Sequence, residues 1–202
     1  MKKNLGFVYI ELIVSLAIVL IIIVTVIVFQ TKLSESQIFI LKSHLTTEAA
    51  NSLLSQIARE LRTMRPSENS DYPLSLTDDQ SLIFYADYDF DGVVERMRYS
   101  LNNTVLEKGI IEPTADTNEY LPENEISREV TNSVRNGDQP VFFYYNGDWP
   151  SDEENNPLDT PTRLSETKLI KISITTNVEE DRPEGDFILE SFVQLRTLKD
   201  NL

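Results

Sequence analysis

A long apolar run near the N-terminus restricts the fold of this chain more than any other feature of its sequence. Residues 12–29 form a stretch of 18, in which only Ser15 and Thr25 are polar. A run of about 18 or more apolar residues is long enough to cross a bilayer as a helix. Lys2 and Lys3 precede the run, and basic residues favour the cytoplasmic side. We therefore predict a single-pass membrane helix with a cytoplasmic N-terminus and the rest of the chain outside.

Two ordinary explanations of this segment leave parts of it unexplained. A secretory signal has a core of about 7–15 residues and then a cleavage site of small residues, whereas Gln30 and Thr31 follow the core here. A plain membrane anchor explains the length and the lysines. It does not explain Gly6 before Phe7, or the carboxylate of Glu11, which is costly at the start of an apolar segment.

Residues 6–12 read Gly-Phe-Val-Tyr-Ile-Glu-Leu and follow a basic leader. This segment resembles the N-terminus of type IV prepilins and pseudopilins, where Gly-Phe-Thr-Leu-Ile-Glu-Leu is usual. The resemblance implies that a membrane peptidase cleaves after Gly6 and that the new N-terminal Phe7 is N-methylated. It also implies that Glu11 faces the N-terminal amine of a neighbouring subunit, because pairing offsets the desolvation of both charges. The alternative for Glu11 is a lone acid at the headgroup boundary.

The rest of the chain adds to this resemblance. Residues 57–62, residues 82–87 with an Asp-rich turn after them, and residues 192–196 are similar to W-type minor pilins and J-type minor pseudopilins. The resemblance implies a structural subunit, not an enzyme, of a type IV pilus, a type II secretion system or a related filament. The implied location is the inner membrane and then a periplasmic or extracellular filament.

The same resemblance implies a set of partners and requires no cofactor. The partners are a prepilin peptidase, other pilin or pseudopilin subunits, an inner-membrane assembly platform, and membrane lipid before assembly. One alternative function stays open, a single-pass membrane-anchored extracellular binding module that does not polymerise. A membrane-tethered hydrolase is a third class, but the sequence gives no residue set that would assign its catalytic roles.

Hydrophobic periodicity predicts an α+β fold with one long N-terminal helix on an antiparallel β-sheet head, as in pilins. Apolar residues recur in helical steps on one face; they are Leu41, Leu45, Ala49, Leu53, Ile57, Leu61 and Met64. Pro66 ends the helix, since the residue before a proline is disfavoured in helix. The predicted domains are a leader (1–6), a transmembrane half (7–30), an amphipathic half (31–65) and an extracytoplasmic β-rich head (66–202).

Within the head, the period of the apolar pattern changes to two, which indicates strands. We predict strands at residues 81–87, 93–101, 104–111, 141–145, 170–175 and 187–196, the last two forming a hairpin around a turn at residues 181–185. Residues 125–134 are predicted to hold a short strand or a helical turn. The remaining parts of residues 112–138 and 146–167 are predicted to be surface loops.

Composition excludes several classes of function. The chain has no cysteine and a single histidine, His44, so neither a disulfide nor a thiolate metal site can form, and no convincing Ser/His or Cys/His catalytic set is available. Residues 66–202 hold 11 basic and 29 acidic side chains, a net charge of −18. Because binding to nucleic acid requires Lys and Arg at the phosphates, no nucleic-acid surface is expected.

The Asp-rich turn at residues 87–95 is the one pattern in the head with possible metal chemistry. Its oxygen donors have the spacing of the first half of a calcium loop; they are Asp87, Asp89, Asp91 and Glu95. Gly92 stands at the sixth position, but Arg98 replaces the glutamate of the twelfth. Two predictions therefore remain open, a weak calcium site and a bare hairpin turn in which Gly92 supplies a positive φ.

Overall fold

The computed structural model describes residues 5–160, 163–177 and 186–195, with side chains from residue 9 onward. It begins with helix α1 (Leu5–Arg62). The chain divides into two compact units, Met1–His44 and Leu45–Leu202, and α1 contributes to both.

The first unit consists of α1 up to His44, and it exposes most of its apolar side chains. Among the described residues, one helix is long and apolar enough to cross a membrane, and none of its most apolar window is buried. Tyr9, just before the apolar run of residues 12–29, and Phe29, at its end, are 68% and 67% exposed. This part of the helix therefore has an apolar surface on all sides.

The second unit packs the C-terminal part of α1 with two antiparallel sheets. Its strands are β1 (Leu74–Thr77), β2 (Ser81–Ala86), β3 (Glu95–Asn102), β4 (Val105–Ile111), β5 (Ile126–Thr131), β6 (Phe142–Tyr145), β7 (Leu169–Thr176) and β8 (Phe187–Gln194). A 3₁₀-helix (Pro122–Asn124) precedes β5, and a short helix α2 (Arg163–Glu166) precedes β7. Among the described residues, β1 to β5 form one sheet in sequence order, and β6 to β8 form the other.

The structure confirms the predicted α+β class with a long N-terminal helix and antiparallel strands. The predicted hairpin is also present, with Thr176 opposite Phe187 at the closed end of β7 and β8. The turn at residues 181–185 and the end of the last predicted strand, Arg196, lie outside the described residues. Two features differ from expectation, since the described strands of the head form two sheets instead of one, and β1 was not predicted.

The core of the second unit joins the helix to both sheets. On the helix side, Leu53, Ile57 and Leu61 are buried, and Met64 just beyond the helix pairs with Ala86 of β2. The apolar face predicted from Leu41 to Met64 is not buried over its first part. Leu41 and Leu45 are 62% and 56% exposed, and Ala49 is exposed as well. Periodicity defines one face of a helix, but it does not show how much of that face is covered.

Candidate functional site

The N-terminal segment carries the predicted processing and assembly residues. Gly6 and Phe7 lie in the first turns of α1, where the structure describes the backbone alone. Glu11 lies one turn after Phe7, and its side chain is exposed among apolar neighbours. The structure therefore places Glu11 and the backbone of Phe7 on the same side of the helix.

The two hydroxyls inside the apolar run are satisfied within the helix itself. Ser15 donates its Oγ hydrogen to the carbonyl of Leu12 at 2.9 Å. Thr25 donates to the carbonyl of Ile21 at 2.8 Å. A hydroxyl bonded to a preceding carbonyl exposes little polar surface, which is the requirement of a hydrocarbon environment.

The Asp-rich turn brings together three of the four predicted metal ligands. Carboxylate oxygens of Asp87, Asp89 and Glu95 all lie within 4.8 Å of one another. Asp91 is not part of this group. Its Oδ1 accepts the backbone N–H of Val93 at 2.8 Å, so that carboxylate supports the turn. Asp89 supports the turn in the same way, since its Oδ1 accepts the backbone N–H of Asp91 at 3.2 Å, yet its carboxylate lies within the group.

A guanidinium lies next to these carboxylates. Nη2 of Arg65 is 2.9 Å from Oδ2 of Asp87 and 2.9 Å from the carbonyl oxygen of Gly92. A carboxylate and a backbone carbonyl are the ligands that calcium also takes in such loops. The second oxygen of Asp87, Oδ1, is buried and has no hydrogen-bond partner in the described part of the chain. Arg65 therefore neutralises part of the turn, while one Asp87 oxygen stays available.

Glu95 is the most buried member of the group, at 2% exposure. Its Oε2 accepts the backbone N–H of Tyr88 at 3.1 Å. The pKa of Glu95 is raised from its ordinary 4.5 to about 7, chiefly by burial and to a smaller extent by the nearby Asp89 and Asp91, while hydrogen bonds from the backbone act in the opposite direction. At neutral pH this carboxyl group therefore exchanges a proton readily, and a cation would compete with that proton.

The backbone of the turn explains its residue choice only in part. Gly92 has φ of 98°, as predicted for a position that favours glycine. Phe90 also has a positive φ, 65°, and its ring is 72% exposed. A bulky residue in this conformation is uncommon, and the sequence pattern gave no indication of it.

Arg98, which stands where a calcium loop would have its last glutamate, contacts a different partner. Its Nε is 2.8 Å from Oε1 of Glu125, and its Nη2 also contacts that oxygen. Glu125 reaches Arg98 by crossing Gly109, the residue opposite Arg98 in the sheet. A Cβ atom at Gly109 would lie 2.0 Å from the Glu125 oxygen. The glycine thus leaves the space that the ion pair uses.

A buried polar cluster that sequence reasoning missed lies under α1. Glu60 accepts hydrogen bonds from Lys108 Nζ at 2.6 Å and from the Tyr99 hydroxyl at 2.6 Å. Gln56 donates to the same carboxylate at 2.9 Å. Burial lowers the pKa of Lys108, against the opposing effect of Glu60, and burial raises that of Tyr99. The sequence did contain two signals of this cluster. Glu60 lies on the apolar face of the helix, and Lys108 lies at an inward position of β4.

An acidic loop follows β6, and hydrogen bonds among its own side chains stabilise it. Asn156 donates to Oδ1 of Asn146 at 2.9 Å, and Asn155 donates to Asp152 at 3.0 Å. These hydrogen bonds from Asn155 lower the pKa of Asp152. Glu153 and Glu154 are exposed, as predicted for a solvated loop.

Comparison with known proteins identifies a similar structure but no similar sequence. The fold is similar to a chain in the crystal structure of the GspK-GspI-GspJ complex from the type 2 secretion system of enterotoxigenic Escherichia coli, with 11% identity and a TM-score of 0.46. The match covers 75% of this chain and 97% of that chain. No family model matches this chain, and no curated protein matches it.

Proposed function

We propose that this protein is a pilin-like filament subunit, a minor pilin or pseudopilin of a type IV pilus, a type II secretion system or a related filament. The observation that carries the proposal is the division of α1 into an exposed apolar part, beginning near Glu11, and a part that packs in the core from Ala50 onward. A continuous apolar surface of this kind must be buried against lipid or against other protein chains. In a filament subunit this surface is buried first in the lipid bilayer and then, after assembly, against the helices of neighbouring subunits.

The N-terminal residues have defined roles in this proposal. A prepilin peptidase cleaves after Gly6, and the amine of Phe7 is then methylated. Glu11 binds the Phe7 amine of a neighbouring subunit, so that neither charge is buried without a partner. The motif of residues 6–12 supports these assignments.

Location follows from the same proposal. The leader lies in the cytoplasm, the apolar part of α1 spans the inner membrane, and the acidic second unit lies outside. The assembly platform in that membrane then transfers the subunit into the filament. No cofactor is required for this role.

Intact-mass analysis of the membrane-extracted protein tests the proposal. We expect the loss of residues 1–6 and the addition of one methyl group to Phe7 in cells that have an active prepilin peptidase. Gly6→Leu should block cleavage, while Lys3→Arg, which keeps the leader charge, should leave it unchanged. If Met1 is retained in the wild-type chain under these conditions, the filament role fails and a membrane-anchored binding module becomes the better account.

A further inference from the structure

A groove with basic side chains runs along the second unit between α1 and the edge strand β5. It consists of two adjoining cavities of about 320 Å³ and 430 Å³ that share Tyr88 and Arg128 in their walls. We call it the basic groove, and its defining residues are Gln56, Arg59, Tyr88, Lys108, Ile126 and Arg128. Residues of α1 line the first cavity, and β5 contributes to the walls of both cavities.

Two guanidinium groups in the basic groove have no anionic partner in the described part of the chain. They belong to Arg59 of α1 and Arg128 of β5, and both side chains are exposed. Lys108 differs, because Glu60 neutralises it. Glu112 lines the second cavity together with Arg128, so the groove as a whole has three cationic and two anionic side chains in its walls. In a head with a net charge of −18, this groove therefore offers positive charge to an incoming group.

The rim of the groove is apolar. Phe90 is 72% exposed beside the first cavity, and Ile126 is 70% exposed beside the second. Exposed apolar side chains around a pair of free guanidinium groups are suited to a protein segment that has carboxylates next to an apolar residue.

The chain itself has a segment of this kind on its other sheet, in the loop after β6. We call it the acidic loop, and its exposed residues are Asp148, Pro150, Ser151, Glu153 and Glu154. Neither glutamate has an ion-pair partner among the described residues. The loop is ordered in advance by the hydrogen bonds among Asn146, Asp152 and Asn156, so docking would cost little conformational entropy.

We propose that the acidic loop of one copy of this chain docks in the basic groove of a second copy. Because the loop and the groove are different surfaces, the contact is heterologous and can be repeated from copy to copy. The inference rests on the proposed function only in that a growing filament supplies the second copy. Each chain has a net charge of −15, so general repulsion opposes the contact. High local concentration in one membrane or filament would offset this repulsion.

The lack of cysteine in the sequence allows a direct test by site-specific cross-linking. The uncleaved full chain is used in detergent micelles, with Ser52→Cys at the groove in one tagged copy and Ser151→Cys at the loop in a second copy with a different tag. We expect a mixed disulfide dimer on oxidation. The matched control is Ser55→Cys, which is also exposed on α1 but does not line the groove. Equal mixed-dimer yields from Ser52→Cys and Ser55→Cys would overturn the proposal.

A charge exchange in the same assay identifies the occupant. Arg59→Glu with Arg128→Glu should lower the mixed-dimer yield by about tenfold, as should Glu153→Lys with Glu154→Lys on the loop partner. Combining the reversed groove with the reversed loop should restore the yield. If the combination stays as low as either change alone, the loop is not the occupant and the proposal is wrong. Since the uncleaved chain is used, the result is independent of processing at Gly6.

Discussion

Nζ of Lys108 lies 2.6 Å from Oε1 of Glu60, and both side chains are buried beneath α1. The Tyr99 hydroxyl donates to the other oxygen of the same carboxylate. A buried pair adds little net stability, because both charges lose their hydration, but each becomes costly when the other is removed. The pair therefore specifies how α1 faces the five-stranded sheet, since another rotation of the helix would separate the two charges.

Removing one member of this pair should destabilise the second unit. Lys108→Met leaves the Glu60 carboxylate buried without its cation, and we expect a loss of about 3–5 kcal/mol in the free energy of unfolding. The double variant with Glu60→Met should lose much less, because no unpaired charge remains. Denaturant unfolding of the full chain, followed by tyrosine and tryptophan fluorescence, measures both. A double variant as unstable as Lys108→Met would contradict the assigned role.

Gly109 should be intolerant of a side chain. The new Cβ of Gly109→Ala would lie 2.0 Å from the Glu125 carboxylate, so the ion pair with Arg98 must move. We expect a loss of about 1–3 kcal/mol. Gly147→Ala is the matched control, because its nearest neighbour, a carbon of Lys168, is 3.7 Å away. Equal effects of the two substitutions in thermal unfolding would show that the space above Gly109 is not needed.

Glu11 should be required for assembly and dispensable before it. If the proposed filament role holds, Glu11→Ala removes the partner of the neighbour's Phe7 amine, yet it leaves the apolar run intact. We expect normal membrane insertion and normal cleavage after Gly6, with incorporation into filaments lowered by an order of magnitude or so. Fractionation of sheared filaments against membranes gives the comparison. Wild-type incorporation of this variant would favour a simple anchor.

Calcium binding at the Asp-rich turn stays a prediction, and three of its four predicted ligands lie within 4.8 Å of one another. Because Arg65 already contacts Asp87, we expect a weak site, with a Kd near the range of about 10⁻⁴–10⁻³ M that extracellular modules show. Calcium should raise the Tm of the chain, since it binds the folded state. Asp89→Ala should remove this rise, whereas Asp91→Ala should keep most of it, because the Asp91 carboxylate lies outside the group formed by Asp87, Asp89 and Glu95. No Tm shift at several millimolar calcium would leave the bare hairpin turn.

The raised pKa of Glu95 predicts a pH dependence of stability in the presence of a chelator. The folded pKa is about 7 against an ordinary 4.5, so the folded state holds the proton more tightly within that window. Stability should therefore fall as pH rises from about 5 to about 7, and this contribution should level off above the folded pKa. Each pKa unit corresponds to about 1.4 kcal/mol. Glu95→Gln should flatten the slope, and an unchanged slope would assign the effect to another group.

Local patterns in the sequence predict most of the secondary structure because each pattern reflects one periodicity. Strand β7 follows from the alternation of its isoleucines with polar residues, whereas β2 and β6 follow from short apolar and aromatic runs. The division into two sheets does not, since it depends on contacts between distant segments, such as the bridge of Val134 to Thr176.

The candidate sites show the same limit. Spacing identifies Asp87, Asp89 and Glu95 as neighbours because they share one turn. It cannot identify Arg65, which comes from 22 residues earlier in the chain. Glu60 and Lys108 are separated by 48 residues. Their charges on otherwise apolar faces were visible in the sequence, but only the packing of α1 on β4 shows that they meet.

The hydrogen bonds of Ser15 and Thr25 to their own helix have a consequence for how such a subunit would leave the bilayer. Neither hydroxyl relies on a surrounding molecule, so neither bond has to break when the surroundings change. Withdrawal from lipid into a fibre then amounts to replacing one set of hydrocarbon neighbours with another, with little energetic preference in either direction. Glu11 is the charged residue within residues 9–29, and its carboxylate would gain a partner amine in a fibre. Its free energy would therefore favour the fibre over the bilayer.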